Sequence, residues 1–148
     1  PPPYAESGGR MYLARCSTWR GRSGRSVGAL PGHAEMHARP VGRGYVHLQE
    51  TSAMPWAGGA GAELRGHEFH HSSLENLDPG VAFAYRVQRG HGVNGRDDGV
   101  LVHQLLASYT HLRSAAGSNW APRFVAHVRR ERERSAIREA HRAAALVA

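Results

Sequence analysis

The sequence predicts an α/β (or α+β) fold, and three observations carry that expectation. Short segments of strand character recur along most of the chain, punctuated by turn signals. Helical spacing is confined to a stretch near the start and to the final segment. Glycine is frequent, with 18 in 148 residues, as expected of a chain with many turns and close backbone approaches.

In order, Tyr4-Ala5 reads as the end of a strand whose beginning is missing, and Gly8 to Trp19 reads as a helix, with Met11, Tyr12 and Cys16 at helical spacing. GRSGRS reads as a loop, and Ser26 to Leu30 as a short strand stopped by Pro31-Gly32. Arg43 to Leu48 is an alternating strand, Thr51 to Gly61 a Gly-rich loop, Glu63 to His70 a further strand, and Val81 to Arg89 the best-alternating one. RGHGVNGRDDG carries the hairpin-type pairs Asn94-Gly95 and Asp98-Gly99. Val100 to Leu106 follows as strand or short helix, then Ala107 to His111 as strand. Ser118 or Asn119 is placed to cap a last helix with Pro122 in its first turns. Beyond about Arg129 that helix becomes a mixed-charge face, with Arg129 and Glu133 attracting and Arg130 and Arg134 repelling at the same i,i+4 spacing. The expected division is a domain over 1–128 and a charged helical tail over 129–148.

The length suits one ordinary domain. The net charge of +7 comes entirely from arginine, since the chain has no lysine. The charges are spread along the chain, so nucleic acid is not the expected partner. One cysteine, Cys16, excludes an internal disulfide and fits a reducing, cytoplasmic setting. No apolar run approaches the roughly 18 residues of a membrane span, so no membrane partner is expected. The chain begins on three prolines rather than Met and reads as a piece of something longer.

The stretch AESGG poses the chemical question. A nucleophile elbow is a tight strand-to-helix turn that needs small neighbours, and Ala5, Gly8 and Gly9 supply them around Ser7. Gly8 N–H is then placed as an oxyanion donor. The alternative is that Ser7 simply caps the helix. Histidine is the second feature, with eleven in the chain. GHEFHH groups His67, Glu68, His70 and His71, but the pair His67 and His71 lacks a third ligand and any nearby thiolate, so no metal is expected. His111 ends the apolar segment LLASYTH, where a strand delivers it to a sheet edge as a general base or as an ordinary surface histidine.

Taken together, YAESGGRMYL, VGALPG, MHARPVGRGYV, LRGHEFHHS, YRVQRGHGVNGRDDG and LASYTHLR resemble the C-terminal glutamine amidotransferase domain of the cobyrinic acid a,c-diamide synthase family, from Tyr4 to about Val128. The sirohaem-type (sirohydrochlorin) amidases share these motifs and stay open as an alternative. The resemblance implies a class I glutamine amidotransferase-like, flavodoxin-like α/β domain, truncated on its N-terminal side. It implies glutamine as nitrogen donor, a tetrapyrrole acceptor, and an upstream synthetase domain using ATP and Mg²⁺. No cofactor is implied in this segment, which has no lysine for a phosphate-binding loop. Ser7 takes the position of the family's nucleophilic cysteine and His111 that of the activating histidine. Glu68, His70 and Tyr109 are implied as glutamine-pocket candidates.

One departure decides the expectation about activity. An alcohol is far less acidic than a thiol, and needs a base whose developing charge is stabilised by a carboxylate. The family pattern assigns no acid to His111. The sequence therefore predicts a site that binds glutamine and hydrolyses it poorly, with a non-catalytic remnant as the competing reading.

Overall fold

A computed structural model describes residues 1–59, 61–113 and 119–145. The elements run β1 (Tyr4–Glu6), α1 (Gly8–Leu13), β2 (Cys16–Trp19), β3 (Arg22–Arg25), β4 (His33–Met36), β5 (Gly42–Glu50), β6 (Glu63–His70), β7 (Ser72–Glu75), β8 (Ala82–Arg89), β9 (Asp97–Val102), β10 (Leu105–Ser108), β11 (His111–Leu112) and α2 (Trp120–Ala145). They form a mixed α/β structure with two sheets, one in the order β1-β10-β9-β8-β5-β6-β11 and one in the order β3-β2-β4-β7.

Strands β5 and β8 occupy the two alternating segments, and β6 occupies the further strand expected over Glu63 to His70. The first helix is shorter than its spacing suggests. It stops at Leu13, and Cys16–Trp19 is instead paired on both sides, with β3 and β4. Two strand partners outweigh a weak helical pattern. GRSGRS is not a loop: Arg22–Arg25 is the second arm of a hairpin that turns at Arg20-Gly21, both at positive φ (50° and 73°), as a two-residue turn requires. Ser26 to Leu30 forms no strand. The N–H groups of Val27, Gly28 and Leu30 donate to the carbonyls of Tyr12, Ala14 and Leu13, which satisfies the exposed end of α1. Of the two cap candidates, Ser118 lies outside the described residues, while the Asn119 carbonyl accepts the Arg123 N–H at 3.3 Å.

The large sheet is curled, for a topological reason. Strand β10 lies next to edge strand β1, while β11, only two residues later, pairs with β6 at the opposite edge. Two residues span that gap only if the two edges approach each other. Inside the curl lies one apolar cluster, including Val46, Leu48, Trp56, Tyr85 and Leu106. A second cluster joins Ala34 and Leu74 of the small sheet to Val100, Leu105 and Ala107 of the large one.

Helix α2 is anchored by its first turns. Trp120 and Phe124 pack with Tyr4 and Trp56 at ring-centroid distances of 5.4–6.2 Å. Arg123 grips the buried Glu50 carboxylate with two hydrogen bonds of 2.7 and 2.8 Å. Beyond Glu131 the described residues are almost all exposed, and the 128/129 division falls inside this continuous helix. Among the described residues no helix is long and apolar enough to cross a membrane.

Candidate active site

Ser7 alone joins β1 to α1. Its backbone has φ 43° and ψ −108°, a region that non-glycine residues rarely occupy and that costs on the order of 1–3 kcal/mol. The turn is held on both sides: Ser7 N–H donates to the Ser108 carbonyl at 3.0 Å, and its own carbonyl accepts from Arg10 and Met11. Its side chain makes no capping bond. The hydroxyl is thus not committed to the helix end, which favours the elbow over the plain cap. The position after it is open, with nothing within 4 Å of a Cβ built on Gly8.

Glu6 and Ser108 are register partners in the parallel β1–β10 pair. His111 therefore emerges just past the strand end where Ser7 sits. Ser7 and His111 reach the same end of the sheet, although no direct hydrogen bond joins their side chains.

His111 has a carboxylate partner that sequence reasoning missed. Its Nδ1 lies 2.9 Å from Glu6 Oε2. The other oxygen, Oε1, accepts the Tyr4 hydroxyl at 2.7 Å and the Leu112 N–H at 3.1 Å. A carboxylate only accepts, so Nδ1 carries the proton and Nε2 is the basic nitrogen of the neutral ring. Both side chains keep access to solvent, 32% for His111 and 26% for Glu6. The ring also stacks on His67 at 5.0 Å, its partner across β11–β6. The only signal for Glu6 is its place beside Ser7; the partnership spans 105 residues and depends on the curl of the sheet.

Two further residues place His111. Asp98 is fully buried and accepts five hydrogen bonds, from Gly99 N–H, Ser108 Oγ, Tyr109 N–H, Thr110 N–H and Thr110 Oγ1, at 2.8–3.1 Å. It fixes the two-residue link that leads into β11. Gly66 leaves room for that link, since a Cβ there would lie 2.6 Å from the His111 carbonyl oxygen and from the Thr110 methyl group.

The pocket candidates Glu68, His70 and Tyr109 do come together, but inside the fold. Glu68 accepts the N–H groups of His91 and Gly92 at 2.6 and 2.9 Å. His70 bonds the Ser72 carbonyl through Nδ1 and Glu68 through Nε2. Tyr109 shares a hydrogen bond with Ser72 Oγ, and its ring is sandwiched between His70, at 3.6 Å, and the Arg10 guanidinium, at 3.1 Å. Burial alone pushes the Glu68 carboxyl up, but the bonds from His70, Gly92 and His91 together hold it below its ordinary value. Among the described residues no three His, Cys, Asp or Glu side chains are grouped to hold a metal ion.

A strained serine at a strand-to-helix turn and a carboxylate-braced histidine at the same end of a curled mixed sheet are parts that an acyl-transfer site of the nucleophile-elbow class uses. Residues 2–119 match the family model of the CobB/CobQ-like glutamine amidotransferase domain, and the chain belongs to that family. It is 44% identical over 131 residues to the cobyrinate a,c-diamide synthase of Magnetococcus marinus, covering 88% of this chain and 28% of that protein. It is 37% identical over 112 residues to the protein of the same name from Halobacterium salinarum, covering 75% and 25%. The chain thus spans about a quarter of the length of these relatives. A solved structure described as a glutamine amidotransferase shares the fold, with TM-score 0.50 and 20% identity over 73% of this chain and 50% of that one.

Proposed function

We propose that the chain is the glutaminase part of an enzyme that amidates tetrapyrrole acetate groups, with cobyrinate as the acceptor that the relatives' names favour over sirohydrochlorin. The observation that carries the reading is the Ser7 elbow beside a His111 ring oriented by Glu6. Ser7 Oγ attacks the side-chain amide carbon of glutamine, and Nε2 of His111 takes the hydroxyl proton. Gly8 N–H faces the developing oxyanion. The same proton then goes to the departing nitrogen, which leaves as ammonia, and water releases glutamate from the seryl ester. Glu68, His70 and Tyr109 serve as the rigid wall behind the elbow. A synthetase portion receives the ammonia and uses ATP and Mg²⁺ to activate the acceptor carboxylate. No residue set of this lysine-free chain is assigned to that step.

Glu6 modifies the expectation drawn from the serine. The stabilising carboxylate that an alcohol nucleophile needs is present, so the reading is a slow glutaminase. The test measures glutamate release by the chain joined to the remaining portion of the Magnetococcus marinus relative. Ser7→Cys should raise the rate on the order of 100-fold, because a thiolate forms far more readily, and His111→Ala should abolish it in both forms. Amidation from free ammonia should be indifferent to both changes. Absence of glutamate from the serine and cysteine forms alike would mark a non-catalytic remnant.

A further inference from the structure

The outer face of β5 and β6 is not covered by the small sheet. It forms a groove of about 970 Å³ whose lining includes the four arginines Arg43, Arg65, Arg89 and Arg113. Among the described residues none of the four pairs with a carboxylate, whereas Arg15, Arg86, Arg96, Arg123 and Arg134 all do. Glu63 is the one exposed acid in the groove. Arg65 and Arg89 both lie opposite His47, one from each neighbouring strand. The two guanidiniums flank His47 two strands apart without a carboxylate between them, so the arrangement favours a ligand that brings negative charge.

The floor between these charges is aromatic. Tyr45 is 77% exposed and Phe69 54% exposed. Tyr45 pairs across the strands with His67, and Arg43 with Phe69. Arg43 marks one end of this floor and the Arg65–Arg89 pair the other, four residues along β5, or about 13 Å at strand rise. Flat stacking surface in the middle and guanidinium forks at the ends suit a planar molecule with carboxylates on its rim. A nucleic-acid strand would call for a longer basic track. The groove is also continuous with the active site, because His67 stacks on His111.

We propose that this face is a binding site for a flat polycarboxylate macrocycle, holding the carboxylates that are not being amidated while one of them faces the ammonia source. The choice of macrocycle rests on the acceptor class given under Proposed function; the site itself uses no catalytic residue. Arg43, Arg65, Arg89 and Arg113 would then select acceptors by the number and placement of their acid groups.

The test titrates the chain as it stands with uroporphyrin, a planar tetrapyrrole rimmed with carboxylates, and follows porphyrin fluorescence without glutamine. Saturable binding that weakens with salt is expected. Each of Arg65→Glu and Arg89→Glu, both surface changes, should weaken it about tenfold or more, the loss of a good charged contact. Glu63→Gln should tighten it. Polyglutamate and a single-stranded oligonucleotide are run at matched charge and should bind more weakly. No binding, binding insensitive to both charge reversals, or equal affinity for either polymer overturns the proposal. Binding needs no turnover at Ser7, so the two readings fail separately. Porphyrin binding without glutamate release sinks the glutaminase alone, and glutamate release without porphyrin binding sinks the groove alone.

Discussion

Two glutamate–histidine pairs sit in this molecule, and they have opposite characters. Glu68 and His70 are 2% exposed, and Glu6 and His111 are 26% and 32% exposed. In the buried pair every strong valence is used. Both Glu68 oxygens accept backbone N–H groups, and both His70 nitrogens are bonded. In the other pair only Nδ1 of His111 is engaged, which leaves Nε2 for a reacting proton. The pairing of residue types does not make a site. A basic atom left free beside a nucleophile does, and a saturated pair works as a clamp on the chain around it.

The sharpest way to break this contrast is to remove the acid from each pair. Glu6→Gln keeps the shape but lets the imidazole adopt the wrong tautomer. In the joined protein it should lower glutamate release by the serine form on the order of 10³-fold, with a stability change within about 1 kcal/mol at this half-exposed site. In the Ser7→Cys background the loss should be smaller, since a thiolate depends less on a strengthened base. Equal losses in the two backgrounds would show that Glu6 only holds β11 in place.

Next in size is Asp98, which shares no atoms with the reaction. Asp98→Ala strands several buried donors and should destabilise the fold by about 3 kcal/mol or more, read as a lower urea midpoint. Glutamate release per folded molecule should fall as well, because the link that presents His111 is no longer fixed. Unchanged release per folded molecule would mean that Glu6 alone suffices to position the ring.

The clamp has its own signature in pH. Glu68 is held below its ordinary value of 4.5 in the fold. Its contribution is therefore complete above that value and is lost as the pH falls through the folded-state value. Glu68→Gln leaves a backbone N–H of the His91–Gly92 turn without an acceptor, at a cost of about 1–3 kcal/mol. Gly92 sits at φ 60°, so this turn has little conformational freedom to compensate. The midpoint gap between wild type and variant should be widest at pH 7 and narrow below pH 4.5. A gap that widens in acid would reverse the assignment.

How far the sequence disclosed these regions follows from the range of the interactions. The strand-to-helix turn at Ser7 was legible because its requirement is local: small residues around Ser7 at a change of pattern. Strands β5 and β8 were legible because alternation is local too. The end of α1 was not, since Cys16–Trp19 keeps helical spacing and becomes a strand only through β3 and β4. Asp98 looked like half of a hairpin turn, because four of its five donors come from a segment ten to twelve residues further on. Glu6 was in plain view beside Ser7, yet its role depends on two sheet edges meeting, which no spacing rule encodes. Glu68, His70 and Tyr109 were named together as pocket candidates through the family resemblance. Their depth was not, because burial is set by what packs over them.

The smallest effect concerns the far wall of the clamp and carries the opposite sign. Arg10 is fully buried on the Tyr109 ring, and none of its three guanidinium nitrogens has a hydrogen-bond partner. Burial pushes its pKa down to about 9, offset only in part by the charge of Asp98. A base held below its unfolded value opposes folding. The penalty is complete below about pH 9 and fades as the pH rises from there towards the ordinary arginine range. Replacing the charge with a chain of similar length removes it and keeps most of the packing on Tyr109. Arg10→Met should therefore raise stability by about 1–2 kcal/mol at pH 7, and the advantage should shrink between pH 9 and pH 10. Urea melts at the three pH values decide the matter. A lower midpoint for Arg10→Met at pH 7 would show that the stacked cation stabilises the His70–Tyr109–Arg10 column more than its burial costs.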